Sequence, residues 1–134
     1  MKRNVTLTVS SLLSILLFIV HIADDVARGI DTYGFVNLIG MSVFVLWLYG
    51  TLVLGDRRSG YVIMLLGSLF GMLGPVSHMI NGISRTLTNK PDGALFFVFT
   101  MWALAVTALF SLVLAVRGLW RREWARDQAP SAKS

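Results

Sequence analysis

Apolar residues fall into four long runs, roughly Val5 to Ala23, Gly34 to Leu54, Tyr61 to Ile83 and Ala94 to Val116, separated by short polar stretches. Each run is about 19 to 23 residues, enough for a helix to cross ~30 Å of hydrocarbon. The connections carry turn punctuation: Asp24 to Tyr33 with Gly29, Gly55 to Gly60 with Asp56, Arg57 and Arg58, and Ser84 to Gly93 with Lys90, Pro91 and Asp92. Short loops make sequential helices antiparallel. The pattern predicts an all-α integral membrane protein, a four-transmembrane-helix up-down bundle occupying residues 1–126 as one domain. Arg117 to Arg126 reads as a basic, amphipathic extension of the fourth helix, with Trp120 and Trp124 four apart, and residues 127–134 as a polar, disordered tail.

Within the runs, small and polar residues recur at helical spacing. Helices inside lipid gain nothing from expelling water against each other, so small residues mark where backbones approach. In the third run Gly67, Gly71 and Gly74 share one face, and continuing their spacing reaches His78, Asn81 and Arg85. In the fourth, Ala103, Thr107, Ser111 and Ala115 form a row at intervals of four, a second close-contact seam. In the first, Ser14, His21 and Arg28 recur every seven residues, with Asp25 on nearly the same side as His21. Pro75 has no N–H for the carbonyl of Gly71 and is expected to loosen the turn before His78, with Ser77, a water or a ligand meeting the freed carbonyl.

Composition supports the membrane reading. Of 134 residues, 55% are hydrophobic, and the mean hydropathy is +0.70, well above soluble domains. The absence of cysteine removes disulfides, thiolate metal sites, iron–sulfur clusters and thiol chemistry. The net charge of +5 sits at the ends of apolar runs, which points to anionic lipid headgroups and not to nucleic acid. Lys2, Arg3, Arg57, Arg58, Arg117, Arg121, Arg122, Arg126 and Lys133 lie at one end, against Arg28, Arg85 and Lys90 at the other. The positive-inside rule then puts both termini in the cytoplasm and the first and third loops outside an inner (plasma) membrane. Lys2 and Arg3 before an apolar run resemble a secretory leader, but bulky His21 two positions before Ala23 makes a poor cleavage signature, so the run is read as a retained helix.

Candidate chemistry gathers at the outer end. The two histidines of the chain, His21 and His78, lie on inward faces of helices one and three at one depth, and those helices are diagonal in an up-down bundle. Asp24, Asp25, Arg28, Asn81 and Arg85 are their neighbours along the same helices. Asp24 and Arg28 also suit an ordinary ion pair at a helix terminus. Three chemistries fit the group as a whole. His21, His78 and Asp25 could ligate a transition metal, zinc, copper or iron, with a position left open. Haem b could sit between the two imidazoles, the glycines of helix three leaving room for the macrocycle, an arrangement that resembles membrane b-type cytochromes in outline. Without a cofactor, His21 and Asp25 could act as an acid–base pair in an enzyme or transporter, with Arg28, Asn81, Arg85 and Asp24 binding a small or lipid-like anion. The small-residue seams further suggest a homo-oligomer or an accessory subunit of a larger membrane complex. Phosphate loops, nucleophile elbows and His-Glu-x-x-His signatures are absent. Trp47, Trp102, Tyr33, Tyr49 and Tyr61 read as interfacial belt or packing. The expectation is a membrane protein whose metal or haem site serves redox chemistry or metal handling.

Overall fold

Asn4 starts the first helix by accepting the Leu7 N–H on its side-chain oxygen at 3.1 Å, the bond that an N-cap residue supplies to an otherwise orphaned donor. From there the computed structural model, which describes residues 4–27, 35–81 and 93–127, contains four helices: α1 Val5–Ala27, α2 Phe35–Leu52, α3 Arg58–Asn81 and α4 Ala94–Asp127. The described residues are all-helical, without strands. The α1 helix runs four residues past the end of its apolar stretch, because nothing in Asp24 to Ala27 breaks a helix. Asp24 and Asp25 are therefore inside the helix, not in the loop. The tail beyond Asp127 lies outside the described residues.

The α4 helix packs against both α1 and α3, and α2 leans chiefly on α3 with a lighter contact to α1. The order around the bundle is thus α1, α4, α3, α2, and α1 and α3 meet only sparsely, across the diagonal. The corner between α2 and α3 is very tight. Arg57 N–H donates to Leu54 O at 2.8 Å, and a Cβ on Gly60 would run into that same carbonyl, so only glycine fits where α3 leaves the turn.

Among the described residues, three helices are long and apolar enough to cross a membrane, over Val5–Asp24, Arg58–Ile80 and Ala94–Arg121. Four such spans were expected from the runs. The α2 helix has 18 residues, about 27 Å of rise, and its apolar stretch among the described residues is the shorter Gly40–Leu52. The α3 helix continues unbroken through Pro75. Ser77 Oγ donates to Gly74 O at 2.8 Å, so the hydroxyl serves the carbonyl next to the proline and not that of Gly71.

The polarity of the bundle is inverted relative to a soluble protein. Ser10, Ser11, Ser14, His21, Thr51, Ser68, Thr100 and Ser111 are buried, whereas Val45, Leu66, Leu73, Phe99 and Val106 are each about 60% exposed or more. At roughly 25 cal/mol per Å² such an exterior is unfavourable in water and neutral in hydrocarbon. Most of the hydroxyls inside are satisfied by one another and by helix carbonyls, Ser111 Oγ being the exception without a hydrogen-bond partner among the described residues. Thr51 Oγ1 commits its single proton to Trp47 O at 2.8 Å, so Ser11 Oγ must donate to Thr51 Oγ1, also at 2.8 Å, and it accepts the Trp47 indole N–H at 2.9 Å. The result is a closed circuit that ties α1 to α2.

The glycines of α3 have a different use from the one expected. A Cβ on Gly67 would overlap the Trp47 indole, one on Gly71 would lie 3.2 Å from that ring, and one on Gly74 would lie 3.4 Å from Phe18. The stripe makes room for aromatic side chains of α2 and α1, and does not bring two helix backbones together. Trp47 is 1% exposed, a packing residue and not part of an interfacial belt; Tyr61, 4% exposed, is buried likewise, its ring against Gly118. Trp102 and Tyr49 face outward, and Tyr33 lies outside the described residues. The seam on α4 is also taken up internally: Ser111 and Ala115 are fully buried, and Ser10 Oγ donates to Thr107 O at 3.2 Å. Ala103 and Thr107, in the same row, are only partly buried.

Candidate functional site

Helical rise sets the depth of the two histidines. His21 is about 24 Å along α1 from Val5, and His78 about 30 Å along α3 from Arg58, both helices running the same way. The bundle brings them together: their ring centroids are 5.2 Å apart with the planes at 89°, edge to face. His21 is 1% exposed, and its ring lies against α3 at Gly74, where a Cβ would be 3.9 Å from Nε2. His78 is partly buried.

The third wall comes from α4, which the sequence pattern did not implicate. Phe97 is fully buried and lies 5.3 Å from the His21 ring and 5.0 Å from the His78 ring, closing a triangle of three rings. Thr100, one turn on, places Oγ1 3.5 Å from His21 Nδ1. Its own proton goes to Phe97 O at 3.0 Å, so toward His21 the hydroxyl oxygen can only accept. A neutral His21 that donates from Nδ1 carries its lone pair on Nε2, the nitrogen on the α3 side. A carbonyl-anchored hydroxyl holding the distal N–H is the kind of support that orients a metal-ligating imidazole. The signal for these two residues lay in antiparallel threading: Thr100 and Phe97, close to the start of the fourth run, stand at the depth of the histidines close to the end of the first and third.

The remaining candidates divide. Asp24 is partly buried on α1. Asp25 and Asn81 belong to α1 and α3, but their side chains lie outside the described residues, as do Arg28 and Arg85 altogether. The acid–base pairing of His21 with Asp25 and the proposed anion anchors thus rest on sequence spacing alone. Among the described residues, three potential metal-ligating His, Asp or Glu side chains do not come together, so the described donor set is the pair of imidazoles.

The room the haem reading assigned to the glycines of α3 is occupied: Trp47 fills the space at Gly67 and Gly71, and Phe18 and His21 fill it at Gly74. What the geometry supplies is two imidazoles in edge-to-face contact with Phe97 against both. No protein-family model matches this chain, and neither the curated proteins nor the solved structures contain a match.

Proposed function

We propose that this chain is an integral membrane protein of the inner membrane, with both termini cytoplasmic, that binds a transition-metal ion between His21 and His78 at its outer end and serves metal handling or redox chemistry. The observation that carries the reading is the 5.2 Å separation of the two rings across the bundle diagonal. Two imidazoles on one tetrahedral ion, with metal–nitrogen bonds of about 2.0 Å and ring nitrogens about 1.1 Å from their centroids, hold those centroids roughly 5 Å apart. Two imidazoles trans across a haem iron stand roughly 6 Å apart with a macrocycle between them, whereas here the two rings touch edge to face at 5.2 Å. The reading therefore takes the bare ion over haem b. Imidazole donors suit zinc, copper, iron and nickel. The rings now meet edge to face, so binding asks His78, the more accessible of the two, to rotate toward Nε2 of His21. The coordination positions left over are open to water, to the carboxylate of Asp25, or to cargo.

Membrane residence is supported by the inverted polarity of the bundle and by three helices of spanning length. The topology is supported by the bias of basic residues to the end that carries the termini and the α2–α3 turn.

Purified protein in mild detergent, titrated with zinc and separately with copper(II), is expected to take up one ion per chain by calorimetry and elemental analysis. His21→Ala and His78→Ala should each weaken binding by about 100-fold, the upper end of what removal of supporting groups costs a metal site. Thr100→Val, which keeps the shape and removes the hydroxyl, should weaken it by about 10-fold. Uptake that is absent at micromolar metal, or indifferent to both histidine substitutions, would rule the site out.

A further inference from the structure

The α4 helix is far longer than a bilayer needs. Its 34 residues rise about 51 Å against ~30 Å of hydrocarbon, and its apolar part gives way to basic residues at Arg117. At that transition the outer face of α4 holds an open groove of about 360 Å³ formed by Leu112, Val113, Val116, Arg117, Trp120 and Arg121. The lower part of the groove is aliphatic. The upper part carries two guanidiniums one helical turn apart with an indole, 70% exposed, between them. Residues 94–121 contain no Asp or Glu, and among the described residues no carboxylate pairs with either guanidinium.

A second, almost wholly apolar groove of about 470 Å³ lies between α1 and α4, with Val9, Leu13, Val106 and Phe110 among its walls. At 100° per residue, its α4 positions are centred about 75° around the helix from those of the first groove, on the adjoining part of the helix surface. From Arg117 back to Val106 the helix descends about 16 Å, close to half of the ~30 Å hydrocarbon thickness. The order along this face is cationic, then aromatic, then aliphatic to the depth of one leaflet.

We infer that this face of α4 is a binding site for one anionic phospholipid, its phosphate held between Arg117 and Arg121 and its acyl chains lying along Val113 and Val116 toward the α1–α4 groove. The inference rests on the membrane reading above and is independent of the metal site. Charge complementarity selects the headgroup: guanidinium donors a turn apart match the oxygens of one phosphate, and a zwitterionic headgroup brings a competing cation. The amphipathic order of the groove selects a lipid over a free phosphate ion, which has no use for the aliphatic part.

The test is native mass spectrometry of the full chain released from bilayers of mixed phosphatidylglycerol and phosphatidylcholine. One phosphatidylglycerol per chain should be retained, at least 10-fold in preference to phosphatidylcholine. R117Q/R121Q should lower that retention at least 10-fold, and Val116→Trp, which fills the groove and leaves the charges, should lower it as well. Inorganic phosphate in the buffer should not displace the lipid. Equal retention of the two lipids, an unchanged R117Q/R121Q variant, or a second protein chain occupying the face as a persistent dimer overturns the inference. Carbonate extraction of the same membranes checks the premise separately: the wild type and both variants should stay in the pellet, and release of the wild type would overturn the membrane reading itself.

Discussion

Replacing Trp47 with alanine should be among the most damaging single substitutions in the chain, lowering stability by about 3 kcal/mol or more, as large-to-small changes of buried aromatic residues do. The side chain is 1% exposed and sits in the space left by Gly67 and Gly71. Its removal opens a cavity lined by atoms of α3 that then have no contacts on one side. In lipid the transfer part of that loss shrinks, because the unfolded reference is also apolar, and the packing part remains. The substitution also opens the hydrogen-bond circuit through Ser11 and Thr51. Trp47→Phe separates the two contributions, since it keeps most of the ring and removes the N–H. It should lower stability by about 1 kcal/mol, the scale of one buried hydrogen bond between helices in a membrane. Equilibrium unfolding in mixed detergent micelles measures both. If phenylalanine proved as damaging as alanine, the circuit that ties α2 to α1, and not the packing of the ring against α3, would be what Trp47 chiefly contributes. An alanine variant within about 1 kcal/mol of wild type would contradict the packing account altogether.

Trp47 also marks where the sequence was legible and where it stopped being so. The four helices and the meeting of His21 with His78 followed from run lengths, short loops and the 3.6-residue period, because these are local properties that threading converts into depth. The diagonal placement of α1 and α3 came from the same source. What spacing could not reveal was which side chain enters a glycine notch. Gly67, Gly71 and Gly74 looked like a backbone seam, since the identity of the partner depends on the rotation of α2 about its own axis, and α2 is apolar on all sides. The same degeneracy hid Thr100 and Phe97. A threonine and a phenylalanine within an apolar run carry no periodic signal, yet they form the third wall of the histidine site. On α1 the apolar count ended the helix at Ala23, but backbone propensity carried it to Ala27. Hydropathy marks where lipid contact stops, and the hydrogen-bonded helix ends on other grounds.

A graded glycine-to-alanine series should then reproduce the notch map as stability differences. Gly67→Ala is the severe case: its Cβ falls on the Trp47 indole, which is buried and has no direction in which to yield. Overpacking of this kind destabilises by about 1–3 kcal/mol. At Gly71 the new methyl would lie 3.2 Å from the far edge of the same ring and 3.6 Å from Ala108. A shift of a few tenths of an ångström relieves that contact, and the gain of up to about 1 kcal/mol in helix propensity brings the net effect near zero. At Gly40 nothing lies within 4 Å, so only the propensity gain operates and alanine should stabilise by roughly 0.5 kcal/mol. The three substitutions share one chemistry and differ only in what the methyl meets, which separates packing from glycine's backbone freedom. Their order, Gly40 above Gly71 above Gly67, is the expected result in the same detergent unfolding measurement. Combining Gly67→Ala with Trp47→Ala completes a double-mutant cycle. If the indole is what the methyl strikes, the penalty at residue 67 disappears once the ring is gone, giving a coupling energy on the order of 1–3 kcal/mol between residues on two helices. Additive effects would mean that Gly67 is required for some reason other than Trp47, and the notch would have to be redrawn.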